Sequence, residues 1–223
     1  ENISDAGTKV DSLEYSLMRA RLEVYYEVIP SNSLRLFQAK FDKNPNDANT
    51  YGLALAHQKN NNYEQSINLL DKLIKKYPKN LVINTTKVDI LTAFGNYSDA
   101  LILVDKFLEI SPKNYPLSIS KSKLLLAMKS YFESEEIIRD QLLRKNDDPE
   151  LWLLLSEIQR NSQNILGYHQ SRAEYYLLLG QDEQALNQLE FALKMTQNNF
   201  QASERIMTKI VDIKKDLGES RGL

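Results

Sequence analysis

The chain of 223 residues contains no cysteine. Structural disulfides, thiol catalysis and cysteine-ligated zinc or iron–sulfur centres are therefore excluded. That absence is compatible with a reducing cytosol and with an oxidising periplasm, so it names no compartment. Glycine and proline are scarce, 7 and 6 residues, too few for a protein built on tight turns and in keeping with long helices on short connections. Seven scattered glycines cannot form a phosphate-cradling loop. No apolar run approaches the roughly 18 residues needed to span a membrane. Neither sign of charge dominates. The net charge is −2, from 28 basic and 30 acidic residues, and the two kinds alternate along the chain. No basic stripe tracks a phosphate backbone, and nucleic-acid binding is not expected. Histidine is limited to His57 and His169. The pair of histidines one helical turn apart with a neighbouring glutamate, which would place two imidazoles on one zinc ion, is missing. Glu1-Asn2-Ile3-Ser4-Asp5 lacks the charged-then-apolar pattern of a signal peptide. The missing initiator Met leads us to expect a processed protein or an excised piece of a longer one.

What the chain does contain is a repeat. Tyr63, Tyr97 and Tyr131 stand 34 residues apart, and matching residues surround each. In the copy from Leu81 to Asn114, Gly95 ends a first helix, Tyr97 opens a second, and Ala100 admits a close helix–helix approach. Val104 and Phe107 fill the core, and Pro112 stops the second helix. The preceding copy has Asn61, Tyr63, Ser66, Leu70, Leu73 and Pro78 in the same register. The following one has Lys129, Tyr131, Ser134, Ile138 and Gln141, with Asn146 in the proline slot. Thirty-four residues is the length of the tetratricopeptide (TPR) unit, a helical hairpin that buries its apolar stripe only by stacking on neighbours. The fold predicted is all-α, a TPR solenoid of about twelve helices wound as a right-handed superhelix. If the ring of Tyr97 is buried between hairpins, Tyr97→Ala should cost about 3–5 kcal/mol.

Residues 1–11 read as a linker from an upstream domain, and 12–223 as the TPR array. Within the array, 12–45 is a divergent first repeat, with Asp11 or Ser12 as the first cap, Pro30 ending helix one, and Ser31 or Ser33 opening helix two. Residues 46–146 are three regular repeats, with helices near 47–60, 63–76, 80–94, 97–110, 114–128 and 131–145. The remainder, 147–223, is phase-shifted and capping. Gly180 and Ala185 repeat the roles of Gly95 and Ala100, but 85 residues later, two and a half periods. One extra helix has entered. The helices expected are 149–161, 164–179, 182–196 and 199–217, with that at 164–179 closing one repeat and opening the next.

Nothing in the sequence assembles a catalytic site, a metal site or a cofactor site. His57 fills an aromatic slot of the repeat, and His169 adjoins Tyr168 on a helix. Glu135 and Glu136 point about 100° apart on a helix and do not share a site. Asp147-Asp148 before Pro149 reads as a loop that caps a helix. Asn84-Thr85-Thr86 and Asn96-Tyr97-Ser98 match the glycosylation triplet, a pattern common by chance. A surface remains. In this repeat class the first helices line a concave groove, and the 34-residue arithmetic puts Tyr51, Leu55, Lys59, Asp89, Lys123, Glu157 and Arg160 there. A clamp for a peptide's C-terminal carboxylate would need Lys and Asn in successive helices. Leu55, Asp89, Lys123 and Glu157 stand there instead. The partners expected are proteins or peptides.

Both ends of the chain carry more particular patterns. Ile3-Ser4-Asp5-Ala6 with Tyr15-Ser16-Leu17-Met18-Arg19-Ala20-Arg21 resembles the junction that follows the protease domain in BepA-type periplasmic zinc metalloproteases. Asn2 departs from it where that family has Arg. The run Arg172-Ala173-Glu174-Tyr175-Tyr176-Leu177-Leu178-Leu179-Gly180, continued by Gln184-Ala185-Leu186 and Leu189, resembles their last repeats. The resemblance implies a periplasmic, non-catalytic C-terminal domain with an upstream protease domain in cis. It would engage outer-membrane assembly machinery and β-barrel or lipoprotein clients. No metal ligand of that family has a counterpart here. The residues by themselves allow an alternative, a cytosolic TPR scaffold or secretion-apparatus chaperone.

Overall fold

A computed structural model describes residues 12–196 and 199–220. The 1–11 linker and the Ile3-Ser4-Asp5-Ala6 motif lie outside the described residues. The fold is twelve helices with no strand among the described residues. They are α1 (Leu13–Tyr26), α2 (Pro30–Lys43), α3 (Asp47–Lys59), α4 (Tyr63–Lys76), α5 (Leu81–Phe94) and α6 (Tyr97–Ile110) in one compact unit. The other unit holds α7 (Tyr115–Ala127), α8 (Tyr131–Leu142), α9 (Pro149–Asn161), α10 (Ile165–Leu178), α11 (Asp182–Lys194) and α12 (Phe200–Ser220). The units divide between Ile110 and Ser111.

Short-range chemistry sets these boundaries with the 34-residue period. Ser12, Asn46, Asn80, Asn114 and Asp148 each precede an odd-numbered helix, and each accepts a hydrogen bond from a first-turn backbone N–H. Such caps satisfy donors that a helix start leaves orphaned. The other end of the odd helices is equally periodic. Asn61, Gly95, Lys129 and Gln163 adopt positive φ. The next residue in each case donates its N–H five positions back, to His57, Leu91, Leu125 and Gln159. This is the left-handed helix stop that glycine makes easily and that a side chain adopts at some cost. Gly180, also at positive φ, repeats the motif with Gln181 donating to Tyr176, 17 residues after Gln163. The half-period slip is thus written in the backbone.

Three boundaries differ from expectation. Pro30 does not end a helix; it is the first residue of α2, where its missing N–H has no helical partner to lose. α1 stops earlier, at Tyr26. α8 stops at Leu142 because Arg144 and Lys145 both turn back to the Gln141 carbonyl.

Three of the hairpins close through small residues 12 positions apart. Ser66 Oγ donates to the Ala54 carbonyl at 2.7 Å. Ser134 Oγ donates to the Ser122 carbonyl at 2.8 Å, with the two hydroxyls 2.9 Å apart. Ala173 and Ala185, both fully buried, share one cluster in the last hairpin. α10 packs against α9 and also against α11, so one helix serves two hairpins. In the first unit the core gathers Leu17, Phe37, Tyr51, Leu70 and Ile83. Phe37 of α2 reaches α3 at Gly52, where an added Cβ would lie 2.0 Å from Phe37 Cε1. Gly52→Ala should therefore lose about 1–3 kcal/mol in urea denaturation, and Gly52→Ala combined with Phe37→Leu should recover part of it.

Tyr97 corrects an expectation. It is only half-buried, whereas Leu70 and Val104 are at 0 % exposure. The tyrosines of the period sit at the hairpin turns, each the first residue of a second helix, and are only half-buried; Tyr63, for instance, lies against Phe94 at 5.5 Å between ring centroids. Leu70→Ala should cost about 2–5 kcal/mol and Tyr97→Ala distinctly less, as thermal unfolding of the two variants side by side will show.

Candidate protein-binding cleft

The first unit carries a cleft of about 490 Å³, within the roughly 300–1,000 Å³ of ordinary ligand pockets. Odd helices build most of it. α1 supplies Arg21, Val24 and Tyr25, α3 supplies Leu55 and Lys59, and α5 supplies Thr86 and Asp89. Tyr63 closes one end from α4.

Of the residues expected to line a groove, Leu55, Lys59 and Asp89 do so. Tyr51 does not: its ring is at 0 % exposure, beneath the cleft. Its hydroxyl is the hub of a polar network joining three helices. Thr86 Oγ1 donates its one proton to the Val82 carbonyl at 2.6 Å. At the 2.8 Å contact between Tyr51 and Thr86, the tyrosine is then the donor. The Tyr51 oxygen accepts from Arg21 Nη2 at 2.5 Å and from Nε at 3.1 Å, while Nη2 also donates to Thr86 at 2.5 Å. The buried hydroxyl is fully satisfied, and Arg21 is held in place from below.

Arg21 was missed in reading the sequence, although its signal is simple: it precedes Leu55 by one period, as Leu55 precedes Asp89. The divergence of the first hairpin hid it. Lys59 is engaged as well. Its ammonium donates to the carbonyls of Val24 at 2.6 Å, Tyr25 at 3.3 Å and Glu27. It caps the C-terminal end of α1, where a cation complements the helix dipole. Lys59 therefore fastens α1 to α3 and is not a free cation for a ligand.

Lys123 on α7, with Glu157 and Arg160 on α9, is exposed in the second unit, and these side chains have no bonded partner among the described residues. Among the described residues no cluster of three metal-ligating side chains exists. His57 is half-buried, 3.5 Å from Asn62 Nδ2, and burial lowers its pKa. His169 Nδ1 is 2.8 Å from Gln188 Oε1 in the second unit. Glu135 accepts from Arg139 and Gln159. Asp148 caps α9 and accepts the Tyr115 hydroxyl at 2.5 Å. Asn84 is at 0 % exposure, which removes its triplet from a glycosylating enzyme. Glu135, Asp148 and His169 are each engaged within the fold. The cleft itself presents apolar walls around a guanidinium that its neighbours hold in a fixed orientation.

No family model matches this chain, and no curated protein matches it. Solved structures do. A tetratricopeptide repeat protein from Parabacteroides merdae ATCC 43184 aligns over 89% of this chain and 82% of its own, at 15% identity and a TM-score of 0.54. A thermophilic TPR protein from Thermus thermophilus aligns over 89% and 98%, at 18% identity and a TM-score of 0.54. MamA from Desulfovibrio magneticus RS-1 aligns over 82% and 96%, at 13% identity and a TM-score of 0.50. The chain has the TPR fold. Identities this low establish the fold and nothing finer. No helix among the described residues is long and apolar enough to cross a membrane.

Burial raises the pKa of the Tyr51 phenol; the Arg21 charge and the hydrogen bonds donated by Arg21 oppose the shift without cancelling it. A folded pKa above the unfolded one contributes stability that is complete below about pH 10, the unfolded value, and is lost as pH rises through the folded pKa. Spectrophotometric titration near 295 nm should show Tyr51 among the late-ionising tyrosines, and Tyr51→Phe should remove one late phenol while leaving the early ones unchanged.

Proposed function

We propose that this chain is a non-catalytic protein-interaction domain whose first-unit cleft receives an extended or helical segment of a partner protein. The observation that carries this reading is the fixed cleft around Arg21, walled by Leu55 and Tyr25 and held rigid by the Tyr51–Thr86 pair. Solenoids present such surfaces to extended ligands. The apolar walls would supply affinity, and Arg21 and Asp89 would select register.

The finer reading is that the domain recruits partners and clients for a periplasmic zinc metalloprotease active in outer-membrane protein assembly. Two sequence patterns support it. Tyr15–Arg21 forms half of α1, the helix that contributes Arg21 to the cleft, and Arg172–Gly180 covers the end of α10 where the repeat slips phase. In this reading the protein is periplasmic, an upstream protease domain is its partner in cis, and its clients are β-barrel or lipoproteins.

The test uses Tyr25, which lines the cleft and is 74% exposed. A photo-crosslinking amino acid at position 25, in the full-length protein in cells, should capture an outer-membrane assembly component or an unfolded β-barrel client. The same amino acid at Phe132, 72% exposed on α8, should not. Tyr25→Glu should reduce recovery of that partner tenfold or more without lowering the melting temperature. Equal capture at both positions would reject the cleft, and adducts confined to cytosolic proteins would reject the compartment.

A further inference from the structure

The second unit has a cleft of its own, built on the other row of helices. It measures about 260 Å³ and draws Arg139 from α8, Glu174 from α10, and Arg205 and Lys209 from α12, over Trp152 and Leu155 of α9. In the first unit the odd helices supply most of the cleft; here the even ones supply the charged rim over a floor from α9. The exchange follows from the half-period slip. Arg139, Glu174 and Lys209 are spaced by 35 residues. The Glu174–Lys209 ion pair therefore repeats, on the even row, the 35-residue step by which Tyr51 reaches Thr86 on the odd row.

The floor of this cleft is rigid. Gln159 is 1% exposed, and both ends of its amide are engaged. Its Nε2 donates to Glu135 at 3.3 Å and its Oε1 accepts from Ser171 at 2.7 Å. Gly167 lies close beside it; a Cβ there would be 2.8 Å from Gln159 Nε2 and would push the amide aside. The rim is cationic, three basic side chains against one carboxylate. Arg139 is tied to Glu135 at 2.6 Å and Lys209 to Glu174. Arg205 is exposed and has no bonded partner among the described residues. One guanidinium thus stands unneutralised beside the indole of Trp152 and the side chains of Leu155 and Ile206.

We propose that this cleft is a second docking site, for a peptide segment that carries an Asp or Glu next to a large apolar residue. The carboxylate pairs with Arg205, whose planar fork suits it. The apolar side chain rests on the half-buried Trp152, which is backed by the buried Leu155 and Ile206. A volume below roughly 300 Å³ takes one or two side chains of a peptide and is small for a cofactor. The site lies in a different unit from the first cleft and stands independently of the reading given for that cleft.

Trp152 is the only tryptophan in the chain, so its fluorescence reports the site directly. The probe is acetyl-Ser-Glu-Leu-Phe-Glu-Ser-amide, with a control in which both Glu are Lys. The acidic peptide should change Trp152 emission saturably and bind at least tenfold tighter than the control, with affinity falling as salt rises. Arg205→Glu should weaken it tenfold or more, Arg205→Lys should restore part of the loss, and Tyr25→Glu should leave it intact. No saturable change at millimolar peptide, equal binding of both peptides, or unchanged binding to Arg205→Glu would overturn the proposal. Loss of binding in Tyr25→Glu would also overturn it, by moving the peptide to the first cleft. Circular dichroism of each variant separates loss of the site from loss of the fold.

Discussion

The structure depends on how closely two helices of a hairpin can approach. Within each unit the contact is made by small residues 12 positions apart, Ala54 with Ser66, Ser122 with Ser134, Ala173 with Ala185. Helix axes pack about 8–10 Å apart according to the side chains at the contact. Ala or Ser on both helices sets the near limit and lets a hydroxyl reach the facing carbonyl. The turn is positioned to match. Asn61, Lys129 and Gly180, all at positive φ, each follow the first small residue by seven positions. Closure and turn are a single device. Bulky residues on both helices at one of these facing pairs would part the helices and displace the rows from which the clefts are made.

Shape in a cleft of this kind comes from contacts along a row of alternate helices. Arg21, Tyr51 and Thr86 bridge α1, α3 and α5; Lys59 holds the end of α1; Lys209 and Glu174 bridge α12 and α10. Their energies differ in kind. The Lys209–Glu174 pair is about one-third exposed on each side, and such pairs contribute at most about 1 kcal/mol. The Tyr51 hydroxyl is fully buried, and stranding it without a partner would cost about 1–3 kcal/mol. Tyr51 therefore fixes the geometry of the first cleft more firmly than any ion pair fixes the second. Recognition and architecture draw on the same side chains.

The helices were legible because their signals are local. The 34-residue tyrosine period located the hairpins, and the caps at Asn46, Asn80, Asn114 and Asp148 stand on the same period in plain view. Leu55, Lys59 and Asp89 reached their cleft for the same reason. What escaped depends on distant partners. Burial of Tyr51 is made possible by hydroxyl and guanidinium partners 35 and 30 residues away, and no local pattern announces them. Lys59 reads as a surface cation until the carbonyls of α1 come within reach. Tyr97 reads as core because aromatic residues usually bury, yet its place just after the hairpin turn leaves it half in solvent. Arg21 was within reach of arithmetic, but the divergent first hairpin interrupted the count.

The phase slip follows from one helix. An ordinary hairpin helix needs one face of small residues. α10 packs on α9 and on α11 and needs two. Gly167 and Ser171 meet Gln159 of α9, and Ala173 meets Ala185 of α11. These three small residues are the buried residues of α10. Its larger side chains, Tyr168, Tyr175, Tyr176 and Leu177, are only partly buried between the two contacts. A helix with two close-packed faces can end one repeat and begin another, and in doing so it passes the cleft-facing role from the odd row to the even row. The run Arg172–Gly180 is where that exchange is encoded: Ala173 supplies the second small face and Gly180 the early stop. A large side chain at Ala173 would press α10 away from Ala185 and, with it, disturb the cleft on the even row.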